Sequence, residues 1–177
     1  FASYLLTQLG YSEHEAELAR IAGYMHDIGN VVNRIDHAQS GACMAFRLLD
    51  KMGMPAQDVA LVVTAIGNHD ESTAFPVNAI AAALILADKT DVRRSRVRNR
   101  DIATFDIHDR VNYAVEESHL ELDTQNKTLT SFLTINTEIC AIMDYFEIFM
   151  QRMLLCRKAA AFFGLTFKLN VNGQTVL

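Results

Sequence analysis

The chain has 177 residues, half of them apolar, and a formal net charge of -5. Such a length and composition bury a real core and exclude a disordered tail, and the negative balance offers nucleic acid or an anionic membrane no global attraction. No stretch has the unbroken apolar length of a membrane span, and Cys43, Cys140 and Cys156, widely spaced and without a C-x-x-C pair, argue for reduced thiols in a cytoplasm rather than a disulfide framework or a thiolate zinc site.

Phe1 to Leu9 reads as a helix entered in its middle and broken by Gly10, so residues before Phe1 are expected. Ser12 with Glu15 has the form of a capping box, and Ala16, Leu18, Ile21, Ala22 and Met25 recur at helical spacing. Together they predict a helix from about Glu13 to Ile28, stopped by Gly29. His26 and Asp27 stand side by side at its end. Neighbours on a helix are about 100° apart, so both can address one point beside the last turn. An isolated His-Asp pair carries little weight, since His69-Asp70 and His108-Asp109 follow in the same chain.

Asp36 and Gln39 form a second cap signal, D-x-x-Q, with His37 in the first turn of the helix it opens and a buried stripe from Ala38 to Met52. Pro55 opens the next helix, whose inward stripe Val59, Val62, Val63 and Ile66 continues to His69. Val77 to Ala87 is apolar all round, which predicts a helix buried in the middle of a bundle, and Asp88 follows at once. A carboxylate desolvated there needs a basic partner or a cation. Six of the sixteen cationic residues then fall between Lys89 and Arg100, a local basic run that could offer forked donors to a phosphate.

Asp106 with Asp109 caps a short helix, so His108-Asp109 reads as a surface pair, as do His14 and His119. From Ser118 the period becomes that of strands: a hairpin turning at Asp123 to Lys127, a long helix from about Glu138 to Phe163 with a narrow polar stripe, a strand from Leu165 to Val171, and a tight turn at Asn172-Gly173. The expected fold is mainly α: a helical metal-binding domain over residues 1–117, then a small α+β element over 118–177 with an antiparallel sheet and one long helix. The excess apolar surface of that helix suits packing or dimerisation, hence a homodimer.

His26, Asp27, His37, His69 and Asp88 thus stand at the ends of successive helices, a mixed nitrogen and oxygen set that suits a divalent ion. His26-Asp27-Ile28-Gly29 closing one helix, His37 to Gly41 opening the next, Asn68-His69-Asp70-Glu71, and Leu86-Ala87-Asp88-Lys89 followed by Arg94-Ser95-Arg96 together resemble the HD superfamily of metal-dependent phosphohydrolases, over roughly Phe1 to Arg100. The resemblance implies a helical bundle that hydrolyses a phosphate ester of a nucleotide-like substrate with a metal-activated hydroxide. One or two divalent ions are implied, among iron, manganese, zinc, nickel, cobalt and magnesium. It implies that His26, Asp27 and Asp88 hold a first ion, and that Asp27, the catalytic residue, bridges to a second held by His37 and His69. It also implies that Lys89, Arg93, Arg94 and Arg96 contact the substrate's phosphate. Relatives carry a further ligand histidine, which would fall upstream of Phe1. Asn30 stands where many of them have lysine; Asn68, and the lack of a G-Y-P signature, set the chain apart from the branch that cleaves cyclic dinucleotides. The alternative from another class is a catalytically silent module acting in regulation or protein-protein interaction, against which the retention of five ligand candidates argues.

Overall fold

The computed structural model describes residues 1–177. The capping box that Ser12 and Glu15 spell is formed: the Ser12 hydroxyl accepts from the Glu15 amide at 3.2 Å, and the Glu15 carboxylate accepts from the Ser12 amide at 3.0 Å. Helix α2, Glu13–Met25, therefore begins where its cap signal lies. It ends at Met25 rather than Ile28, because the chain tightens through His26 and Asp27 into a 3₁₀ turn, Ile28–Val31.

Gly29 sits inside that turn, and its role is close approach rather than helix termination. A Cβ at this position would fall on the His37 carbonyl oxygen and lie 2.6 Å from both the Gly41 amide nitrogen and the Ser40 hydroxyl. Only glycine lets the turn lie against the first turns of α3, His37–Lys51. Gly41 is small for the same reason, its own Cβ position being 3.2 Å from the Gly29 nitrogen. The expected Asp36 cap is not made. Asp36 enters α3 with a left-handed backbone, φ 56°, and no side-chain bond to the helix, while Gln39 donates to the Thr73 hydroxyl at 2.9 Å.

The chain packs as two compact units, Phe1–Asp88 with Lys158–Phe163, and Lys89–Arg157 with Gly164–Leu177. Residues 89–117, expected with the amino-terminal helices, thus pack in the second. The first unit also holds α1, Ala2–Gln8, α4, Ala56–Gly67, and nearly all of α5, Ala79–Lys89. Its core is Leu5, Leu6, Leu18, Ala19, Ala45, Val62 and Ile66 with α5 from Ile80 to Leu86, all at most 2 % exposed. At about 1.5–3 kcal/mol for each large apolar side chain, this burial is what holds the helix ends in register.

In the second unit Asp106 caps α6, Ile107–Ala114, by accepting from the Asp109 amide at 2.7 Å, as its spacing predicts. Strands β1, Val115–Asp123, and β2, Thr128–Ile135, form the expected hairpin. The next strand, β3, Thr166–Val171, runs parallel to β2, with Leu129 opposite Phe167, and β4, Gln174–Thr175, returns antiparallel. The sheet is accordingly mixed, in the order β1-β2-β3-β4. The parallel pair follows from α7, Ile142–Phe162, a crossover long enough to carry the chain back to the starting end of its neighbour. In this unit α7 buries Tyr145, Phe149, Met153 and Cys156, while Met143 and Met150 remain exposed. No helix is long and apolar enough to cross a membrane.

Candidate metal centre

Three histidines near helix ends are oriented by one local device. His26 Nδ1 donates to the Gly23 carbonyl at 2.7 Å, His37 Nδ1 to the Arg34 carbonyl at 3.0 Å, and His69 Nδ1 to the Ile66 carbonyl at 2.6 Å. A carbonyl only accepts, so each Nδ1 carries the proton and each neutral ring presents a bare Nε2. Packing brings those nitrogens together. His37 Nε2 and His69 Nε2 are 3.2 Å apart, and the His69 ring meets the His26 ring edge-on at 5.1 Å between centroids. Two lone pairs at that distance repel unless a cation or a proton lies between them.

The carboxylates complete the cluster. Asp27 reaches both ways, Oδ2 to His26 Nε2 at 3.4 Å and Oδ1 to His37 Nε2 at 3.4 Å, with His69 Nε2 at 4.0 Å from the same oxygen. Asp88 Oδ1 lies 3.6 Å from His26 Nε2. Two ligand sets result, His26, His69 and Asp88, and Asp27, His37 and His69, the donor atoms in each all within 4.8 Å of one another. Ligands about 2.1 Å from one ion stand roughly 3.0–3.4 Å apart at octahedral or tetrahedral angles. The His37–His69 and His37–Asp27 edges have that length, and the His26–Asp88 and His69–Asp27 edges, 3.6 and 4.0 Å, would have to shorten on binding. Nitrogen and carboxylate donors of this kind fit a divalent ion. All five residues singled out in the sequence converge, and His69 is common to both sets.

The two sides of the cluster differ in solvation. The side chains of His37 and His69 are 3 % and 1 % exposed, whereas that of Asp27 is 46 % exposed. The side of His37 and His69 is dry, and the side of Asp27 is open to an incoming molecule, with His26 and Asp88 between these extremes. Burial works against a charged His26, but hydrogen bonding and charge from Asp88, with the Gly23 carbonyl and Asp27, outweigh it and hold its pKa above the ordinary value.

Two neighbours had not been singled out as site residues. Asp70 Oδ1 lies 4.0 Å from His37 Nε2, and Arg34 Nη1 lies 3.9 Å from Asp27 Oδ1. Asp70 stands in the sequence as half of another His-Asp pair and within Asn68-His69-Asp70-Glu71, with no ligand role attached, and Arg34 lies in an irregular segment whose pattern carries no signal.

The basic residues expected at the phosphate belong to the second unit, and the three arginines have partners there. Arg93 and Arg96 pair with Asp91 at 2.8 and 3.0 Å. Arg94 lies over the Tyr113 ring at 4.5 Å and donates to the Tyr113 carbonyl at 2.7 Å, and Lys89 is buried. The remaining histidines stay outside the cluster: His14 pairs with Asp58 at 2.9 Å, His108 meets Phe149 edge-on, and His119 stacks on Phe132.

The family model for the HD domain matches residues 1–148 of the chain. No curated protein and no solved structure matches it.

Proposed function

The chain belongs to the HD domain family, whose members are generally metal-dependent hydrolases, and from that premise we propose that it hydrolyses a phosphate ester of a nucleotide-like substrate at the His26, Asp27, His37, His69 and Asp88 cluster. The observation that carries the reading is the convergence of three imidazole Nε2 atoms, each freed for coordination by an Nδ1 bonded to a backbone carbonyl. A silent interaction module has no need of that arrangement.

In this reading His26, Asp27 and Asp88 would hold one ion, and Asp27, His37 and His69 a second, Asp27 presenting one carboxylate oxygen to each side, because the single bare Nε2 of His69 can serve only one ion. Divalent ions there would lower the pKa of a bound water and neutralise charge on the phosphoryl group. The protein's own residues do the positioning. The carbonyls of Gly23, Arg34 and Ile66 fix the three rings, and Asp27, between His26 and His37, holds the two sets at one separation. The half-exposed side of Asp27 admits the ester, where Arg34 stands within reach of a phosphoryl oxygen. Lys89, Arg93, Arg94 and Arg96 remain further candidates for that contact, although Arg93, Arg94 and Arg96 would have to leave their present partners to make it.

The test is elemental analysis of untagged protein purified without chelator, for wild type beside Asp27→Ala and Asp88→Ala, followed by a screen of phosphate esters. About two transition-metal equivalents, falling in both variants, with hydrolysis of at least one ester, are expected. No metal after iron, manganese or zinc is supplied, or metal without hydrolysis of any ester, would overturn the reading and favour the interaction module.

A further inference from the structure

We propose that the groove between α2 and α3 that starts at Asp27 holds the organic group of the substrate, and that this group is apolar and aromatic rather than a hydroxylated sugar. The inference rests on the hydrolase reading of this site and replaces the nucleotide-like organic group, whose phosphate sits on a sugar, with an aryl one. Asp27 is the common element: it belongs to the ligand cluster and also lines a cavity of about 900 Å³ in the same unit. That volume is within the roughly 300–1,000 Å³ range of sites that hold small organic ligands. A phosphate held at Asp27 would therefore direct the rest of its ester along this cavity.

The wall defines what it can take. Beyond Asp27 the lining is Ile21 and Met25 from α2 with Leu48, Met52 and Met54 from the end of α3 and the turn after it. Apart from the hydroxyl of Tyr24 at the rim, the next polar side chains are Glu17 and Arg20, which pair with each other. Arg20 is seven positions before Asp27, roughly 10 Å along a helical path. A sugar in that interval would give up water for its several hydroxyls and find only the Tyr24 hydroxyl, at the rim, among the side chains there. An aromatic ring loses nothing comparable, and three methionines supply polarizable, adaptable contacts suited to a flat face. Tyr24, 93 % exposed, lies at the rim and can close over such a ring.

The test uses two non-hydrolysable probes, naphthylmethylphosphonate and methylphosphonate, titrated by calorimetry into the manganese-loaded full chain. Wild type is compared with Leu48→Glu and Met52→Glu, both at positions exposed enough to keep the fold. In the wild type the naphthyl probe should bind about tenfold or more tightly than the methyl probe, the ratio expected when several apolar carbons leave water. Both variants should bring the two probes to near parity, with metal content and methylphosphonate affinity unchanged. Equal binding of the probes to metal-loaded wild type would overturn the groove assignment and leave the hydrolase reading standing. A preference that survives both variants would also overturn it, by placing the ring elsewhere. Failure of the metal-loaded chain to bind either phosphonate would remove the hydrolase reading and the groove assignment together. If the probes bind alike and sedimentation shows a wild-type dimer that Leu48→Glu splits, the groove is covered by a second copy of the chain instead.

Discussion

Replacing Gly29 by alanine should damage the metal centre through a contact that involves no ligand. The added methyl carbon would fall on the His37 carbonyl oxygen and lie 2.6 Å from the Gly41 nitrogen and the Ser40 hydroxyl, where ordinary contact begins at 3.4 Å. Ser40 can turn its side chain away, but the other two atoms are backbone of α3, so the 3₁₀ turn and the helix must separate. Overpacking of this kind costs about 1–3 kcal/mol, with the reduced freedom of the unfolded chain returning less than 1 kcal/mol. A net loss of about 2 kcal/mol lowers the melting temperature of a chain this size by roughly 4–8 °C. Because His37 opens α3 and Asp27 precedes the turn, the 3.4 Å approach between them should widen and metal content should fall. Gly23→Ala is the control. Its Cβ meets nothing within 4 Å in the interior of α2, so it should stabilise by about 0.5–1 kcal/mol. Thermal melts and elemental analysis of both variants decide the matter. A Gly29→Ala protein that melts with the wild type and keeps its full metal would refute the close-approach argument.

Asp27→Ala, which removes the carboxylate standing between His26 and His37, should lose more metal on elemental analysis than His26→Ala or His37→Ala; equal losses would mean that Asp27 does not serve both ions. Arg34→Ala should raise KM for a cleaved ester several-fold with metal content intact, and an unchanged KM would remove Arg34 from the phosphate contact. In chelator-treated protein the raised pKa of His26 means that its protonation favours the fold. That contribution is fully present below its ordinary value of 6.5 and is lost as pH rises through the raised value. Ion binding has the opposite dependence, since it needs the ring nitrogen unprotonated, so melting temperatures across about pH 5–8 should show added manganese stabilising more at the higher pH. An increment that does not grow with pH would count against His26 as a ligand. Ser12→Ala should cost about 1 kcal/mol by removing the cap of α2, read as a lower melting temperature.

The helical stripes, the Ser12 and Asp106 caps, the buried run from Ile80 to Leu86 and the five ligand candidates were all legible in the chain, because each rests on spacing within a few residues. Even the orientation of the imidazoles is local in origin, since each ring is tied to the carbonyl three residues before it. The Asp36 signal shows the limit of such reading: the residue types suit a cap, but the left-handed backbone that joins the 3₁₀ turn to α3 leaves the side chain without a bond to the helix. Alternation likewise marked Thr166–Val171 as a strand without giving its direction, which depends on where the α7 crossover delivers the chain. What the sequence by itself determined is which residues could ligate and which faces must be buried, both properties of local composition and period. Only the tertiary structure decided that Asp27 stands between His26 and His37 with His69 in reach of both ligand sets, that Arg34 lies beside Asp27, and that an apolar cavity opens from the same aspartate. Those relations join residues far apart in the chain, and they are set by how closely helices approach at points such as Gly29 and Gly41, a distance that no periodicity records.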